Sequence, residues 1–320
     1  MTDIPAARPR PKIPVWRTAY DGYRLGIGAI FSSGVMFRFF VYGFLSLLIV
    51  FGILMYANFR MSALLASTAT GANQNLVIGS SFLLGMLVYA AIAAIQTPLG
   101  VVVQRYILLG DLPQLSYFGH LNGRNGLRFF RVSIAVYVYF FIGGSAYVPI
   151  LYLVYHVSPF EPTGMAALLA TTPSALAVMM MIFFISYLAA SLLAARTTFA
   201  FPIAATDRPG PALRQGFAET RGTMWRLFFV FFLTFIPPAL VYMVAATVAA
   251  ISMVGQAPAA TSRDLEAWLA SLFLSPQFIV AAIVVWIAVM LSFVAMAAAA
   301  ARAYQIRIER GMSGVAEIFS

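Results

Sequence analysis

Six stretches of this 320-residue chain run for at least 20 residues without a single Asp, Glu, Lys or Arg: 39–58, about 76–103, 132–154, 173–195, 227–253 and 276–301. At a helical rise of about 1.5 Å per residue, roughly 20 apolar residues cross the hydrocarbon core of a bilayer. Lipid satisfies no backbone N–H or C=O, and a helix pairs all of its own. The runs predict an all-α integral membrane protein with six transmembrane helices. Charge content supports this. Only 9% of residues are charged, against about 25% in soluble domains, too few to cover a water-facing surface.

The same composition excludes several chemistries. With no cysteine, the chain has no disulfide, thiolate nucleophile or thiolate metal site. Two histidines, His120 and His156, are too few for a histidine-rich metal centre. No metal and no cofactor are expected. The net charge is +10, and 19 of the 20 basic residues are Arg. Because these sit at the ends of apolar runs, they point to anionic lipid headgroups rather than nucleic acid. Residues 1–17 hold Arg8, Arg10, Lys12 and four prolines, with no apolar core. That segment reads as a short disordered cytoplasmic tail and not as a signal peptide.

Orientation follows from the basic residues. The segments up to Arg38, 104–131, 196–226 and from Arg302 onward hold 18 of the 20; the opposite side holds Arg60 and Arg263. Both termini are expected in the cytoplasm.

The runs also repeat. The first, third and fifth begin at Phe37-Arg38-Phe39-Phe40, Leu127-Arg128-Phe129-Phe130 and Trp225-Arg226-Leu227-Phe228-Phe229. The second, fourth and sixth end at Gln104-Arg105-Tyr106, Ala195-Arg196-Thr197 and Ala301-Arg302-Ala303-Tyr304. Arg38 to Arg105, Arg128 to Arg196 and Arg226 to Arg302 are separated by 67, 68 and 76 residues. The spacing suggests three pseudo-repeated hairpins, about 18–111, 112–205 and 206–310, in one membrane domain, 18–310, followed by a cytoplasmic tail, 311–320. Arg beside Phe is also ordinary at a membrane boundary, so the intervals carry the repeat. Short amphipathic stretches precede each pair: 20–33, about 114–125 and 212–224. In the last, Leu213, Phe217 and Met224 alternate with Arg214, Glu219 and Arg221, behind Pro211. Such helices can lie in the interface. Thr172-Pro173 and Ser275-Pro276 read as a cap followed by a first-turn proline.

Two segments carry a resemblance. The first is Gln104-Arg105-Tyr106-Ile107-Leu108-Leu109-Gly110-Asp111. The second is Ala195-Arg196-Thr197-Thr198-Phe199-Ala200-Phe201-Pro202-Ile203-Ala204-Ala205, followed by Arg214-Gln215-Gly216-Phe217-Ala218-Glu219-Thr220-Arg221-Gly222 and Trp225-Arg226-Leu227-Phe228. Together they resemble bacterial inner-membrane proteins that include the multi-helix membrane domain fused to some glycerophosphodiester phosphodiesterases. The resemblance implies a membrane architecture, a bacterial inner membrane and a connection to lipid. It does not extend to catalysis, because the phosphodiesterase barrel and its acid and His cluster have no counterpart here.

The candidate site is a cytoplasmic arginine rim. Arg105, Arg196 and Arg302 would converge if the hairpins pack around one axis, and Arg128 and Arg226 would extend the cluster. Guanidinium groups hold phosphate bidentately. The plainer reading is that each snorkels separately. Asp111, Asp207 and Glu219 are candidates to pair with Arg124, Arg214 or Arg221. Pro98, Pro149, Pro237 and Pro238 can kink their helices. Gln96 and Gln104 suit hydrogen bonding between helices, and Gly143-Gly144 and 297–301 suit close helix packing. His120 reads as a bland polar group, and His156 and Glu161 as solvated loop residues.

These readings give a non-enzymatic membrane protein that engages anionic lipid in a scaffold or accessory role. The alternative is a transporter or flippase for an amphipathic solute or lipid, which would need a polar cavity. Topology is directly testable in a chain without cysteine. A cysteine at Leu115 should resist a membrane-impermeant maleimide in intact cells and react after lysis. Labelling in intact cells would reverse the orientation.

Overall fold

The computed structural model describes residues 12–67, 74–113, 116–145, 173–206, 208–254 and 275–319. Every regular element among them is a helix: α1 Val15–Phe31, α2 Gly34–Ser67, α3 Gln74–Leu109, α4 Gly119–Asn122, α5 Arg124–Ser145, α6 Pro173–Thr197, α7 Ala200–Ala205, α8 Ala212–Glu219, α9 Met224–Val254 and α10 Pro276–Phe319. Outside them lie residues 1–11 of the expected tail, and His156, Glu161, Pro149, Asp207 and Arg263.

Among the described residues, four segments are long and apolar enough to cross a membrane: Gly85–Leu109, Arg124–Gly143, Met224–Ala245 and Ile279–Ile308. A fifth is counted if α1 and the start of α2, which meet at 103°, form one span. In the windows from α5, α9 and α10 only 28%, 22% and 22% of residues are buried. Phe232, Phe235, Leu240, Met243, Val280 and Val284 lie exposed. Water-soluble proteins rarely leave apolar surface open on this scale. The chain is a membrane-embedded, multi-pass protein.

It divides into two compact units. The first comprises Met1–Ile49, Pro98–His120 and Phe229–Ser320. Its centre is the packing of α1 on α10. A Cβ on Gly22 would lie 2.7 Å from Ala299 Cβ and 2.8 Å from the Ala295 carbonyl; one on Gly26 would lie 3.1 Å from the Val294 carbonyl. Two glycines four residues apart thus form a flat stripe that admits a second backbone. The Tyr23 hydroxyl donates to the Thr234 carbonyl and ties α1 to α9.

The second unit comprises Val50–Thr97 and Leu121–Phe228. Here α5 packs along α6, with Gly143 against Ser186 and Ala190 and Phe140 against Tyr187. Tyr137 of α5 donates to Gln96 of α3. Phe129 packs on Phe201 of α7 at 4.9 Å. A Cβ on Gly216 of α8 would fall 2.5 Å from the Ala200 nitrogen, so only glycine allows α8 this close to α7.

Several boundaries differ from expectation. The first amphipathic helix starts at Val15, right after Pro14, whose φ of −76° suits a helix start; residues 15–17, expected in the tail, are helical. In the second, the described helix is a single turn, α4, which begins at Gly119 and is followed by Gly123, and glycine disfavours helix. The sixth run continues past Arg302 to Phe319, so residues 311–319 are helical where a tail was expected. α6 and α10 begin at Pro173 and Pro276, as the sequence marks, and α3 and α9 continue through Pro98 and Pro237-Pro238.

The α1–α10 contact makes a sharp prediction. Gly22→Ala overpacks it and should destabilise by about 1–3 kcal/mol. Gly28→Ala, with nothing within 4 Å of its added Cβ, should be neutral or gain up to about 1 kcal/mol. Thermal unfolding in detergent reads both. Equal stability of the two variants would contradict the contact.

Candidate functional site

The five arginines expected to form the rim divide between the units: Arg105 and Arg302 in the first, Arg128, Arg196 and Arg226 in the second. Their surroundings differ in kind.

In the first unit both are matched to carboxylates. α3 ends at Leu109, and Gly110, at φ +74°, turns the chain back. This brings Asp111 to Arg105 at 2.6 Å. Asp111 therefore pairs with Arg105, where pairing with Arg124, Arg214 or Arg221 was expected. Arg302 donates to Asp21 of α1 at 3.4 Å and to Gln305 at 3.3 Å. Gln305 donates in turn to the Ile107 carbonyl at 3.0 Å. Arg302 is thus a strut between α10 and α1. The Arg105–Asp111 pair is partly exposed, worth about 0.2–1 kcal/mol.

In the second unit Arg196 meets an aromatic ring and Arg128 meets backbone carbonyls. The Arg196 guanidinium lies over the Phe217 ring at 5.5 Å, a cation–π contact that fixes α6 to α8. Thr220 strengthens that joint by donating to the Arg196 carbonyl at 2.8 Å. Arg226 is the third residue of α9 and half-buried.

Arg128 is placed differently. It forms one wall of a groove of about 500 Å³, whose described lining is Arg124, Leu127, Arg128, Arg131, Val132, Gly210, Pro211, Ala212 and Leu213. Arg124, Arg128 and Arg131 are spaced by four and three residues, so they share one face of α5. The opposite wall is the head of α8. Gly210 takes φ +98°, which non-glycine residues rarely adopt. The turn it makes aims its carbonyl at Arg128, which donates to it at 2.9 Å and to the Thr206 carbonyl at 3.5 Å. Pro211 precedes α8 and no side chain caps the helix. The N–H groups of the first turn therefore have no intrahelical acceptor and carry the positive end of the helix dipole.

Three guanidiniums and an open helix start make a strongly positive groove, and no Asp or Glu is among its described lining residues. Backbone carbonyls orient Arg128 without cancelling its charge. Arginine is also unfavourable in the first turn of a helix, where Arg124 begins α5. Such a groove suits an anion with several oxygens, since guanidinium and backbone N–H both donate. Arg124 and Arg131 were counted in the sequence only as orientation markers. Their helical spacing was legible, but the facing wall lies about eighty residues later.

His120 adds a titratable group to the first unit. Its ring meets Phe39 edge-on at 5.4 Å, and its Nε2 is buried without a hydrogen-bond partner. Burial lowers its pKa below the usual 6.5, and the Arg105 charge lowers it further. The fold favours neutral His120, while the unfolded chain protonates near 6.5. Stability from this site is therefore complete above about pH 6.5 and falls as pH drops toward the folded pKa. His120→Phe should flatten the decline of unfolding temperature between about pH 7 and 5. An unchanged slope would assign the decline to other groups.

No family model, curated protein or solved structure matches the chain.

Proposed function

We propose that this is a non-enzymatic membrane protein of the bacterial inner membrane that holds anionic lipid headgroups on its cytoplasmic face, in a scaffold or accessory role. In this reading the chain crosses six times as three hairpins, with both termini inside. The observation that carries the binding assignment is the groove: Arg124, Arg128 and Arg131 on one face of α5, opposite the uncapped start of α8.

Two further points support it. The groove sits at the start of an apolar helix, Arg124–Gly143, where headgroups would lie. The lipid connection implied by the resemblance to phosphodiesterase membrane domains is of the same kind, although the residues quoted for that resemblance include none of the groove's lining. The five-residue rim is revised accordingly. Arg128 belongs to the binding groove; Arg105 and Arg302 act as structural ion pairs, and Arg196 as an aromatic clamp.

Each arginine near an anionic surface contributes about 1 kcal/mol, so replacing all three by Ala should weaken retention by about 3 kcal/mol, roughly 100-fold. Native mass spectrometry of the detergent-purified protein with cardiolipin or phosphatidylglycerol reads the effect. Added salt should weaken the wild-type protein in the same direction. Unchanged retention in the triple variant would remove the groove as the site.

A further inference from the structure

α1 carries two apolar faces where the sequence predicts one. Thr18, Ala19, Gly22, Gly26, Ala29 and Ile30 are buried, and the Gly22–Gly26 stripe takes α10. Beside that face runs a second one: Trp16 is 77% exposed, Tyr20 67%, Ile27 40% and Phe31 67%. At 3.6 residues per turn these four fall within about 60° of the helix surface, with Arg24 and Arg17 next around the cylinder. Both arginines are exposed. Phe31 stacks on Phe37 at 5.8 Å, so the aromatic surface continues into α2.

Two observations identify what covers this stripe. α1 touches α10 at Val294, Ala295 and Ala299, and Asp21 meets Arg302. Those are the last turns of the uncharged run and the arginine that ends it. α1 therefore lies at the level where hydrocarbon gives way to headgroups. It also meets α2 at 103°, so α1 does not continue straight into α2. Trp and Tyr favour that depth because each has an apolar body and a polar tip, and the long stems of Arg17 and Arg24 let their charges reach phosphate.

We propose that Trp16, Tyr20, Ile27 and Phe31 are seated in the headgroup–acyl boundary of an anionic bilayer, making α1 a surface-lying membrane contact separate from the arginine groove. α10 holds it there through the glycine stripe and the Asp21–Arg302 pair. The contact fits a lipid surface rather than a second protein, because basic residues border an aromatic stripe at headgroup depth.

The absence of cysteine makes the test clean. Single variants Tyr20→Cys, Ile27→Cys and Gly28→Cys, each carrying a nitroxide, are reconstituted in phosphatidylethanolamine–phosphatidylglycerol vesicles. Collision with oxygen, which partitions into lipid, is compared with collision with a water-soluble nickel complex. Labels at 20 and 27 should show a severalfold higher oxygen-to-nickel ratio than the label at 28, which lies about a quarter-turn round the helix from the stripe, beside Arg17 and Arg24. Equal nickel access at all three positions would place α1 in water and overturn the proposal. Shielding of 20 and 27 from both reagents would overturn it in favour of a covering protein surface. Neither result depends on lipid retention at the groove, so the two readings can fail separately.

Discussion

Lipid offers no hydrogen-bond partner, so each polar side chain within the long helices has to find one inside the protein. Several serine and threonine hydroxyls do so on their own helix. Thr97 donates to the Ala93 carbonyl at 2.7 Å, Thr234 to Val230 at 2.8 Å, Thr247 to Met243 at 2.7 Å and Ser191 to Tyr187 at 2.8 Å. The longer groups cross between helices. Tyr137 reaches Gln96, Tyr23 reaches the Thr234 carbonyl, and the Gln104 amide reaches the Ala297 carbonyl at 3.4 Å. Such bonds average about 0.6 kcal/mol in membranes. Their larger effect is on specificity, because a helix rotated by one residue would strand the group.

The same medium changes what holds helices together. Lipid tails are as apolar as Leu, so burying Leu against a neighbouring helix gains little. Close approach does more, and this chain obtains it with glycine and alanine. Gly22 lies on Ala299, Gly143 on Ala190, and Gly216 on Ala200. At each, an added Cβ would meet that alanine's Cβ at or under 2.9 Å. The bulky residues are left facing outward, which explains why α9 and α10 keep so much Phe, Val and Met exposed.

How much of this the sequence reveals depends on the range of the cause. Exclusion of charge from a bilayer is local, so the apolar runs mark where the long helices lie. Gly143 and the alanines at 297–301 were legible as packing residues for a similar reason. Gly22 and Gly26 were not, because their stripe sits in a short helix and means nothing until α10 supplies Ala295 and Ala299. α10 runs on past Arg302 because that residue marks where the uncharged run ends, not where a helix ends. The groove was half-legible: the arginine spacing on α5 is local, whereas the turn at Gly210 that closes the other wall is not.

The contrast among the arginines follows from how charge is compensated. Asp111 and Asp21 neutralise Arg105 and Arg302, so those residues fasten helix ends and have little field left for a ligand. Arg196 spends its face on Phe217. Arg128 is held by two carbonyl oxygens, which are dipoles and leave a full positive charge in place. Arg124 and Arg131 add to that charge, as does the open start of α8. Building such a site destabilises the free protein, since three guanidiniums gather with no Asp or Glu among the groove's described lining residues. On the proposed reading, an anion bound there would remove that repulsion, and part of its affinity would come from the relief. In a chain whose long apolar runs carry no charged side chain, a cluster of guanidiniums at a helix start is where binding free energy can be stored, and this is why the groove, and not the paired arginines, carries the proposed function.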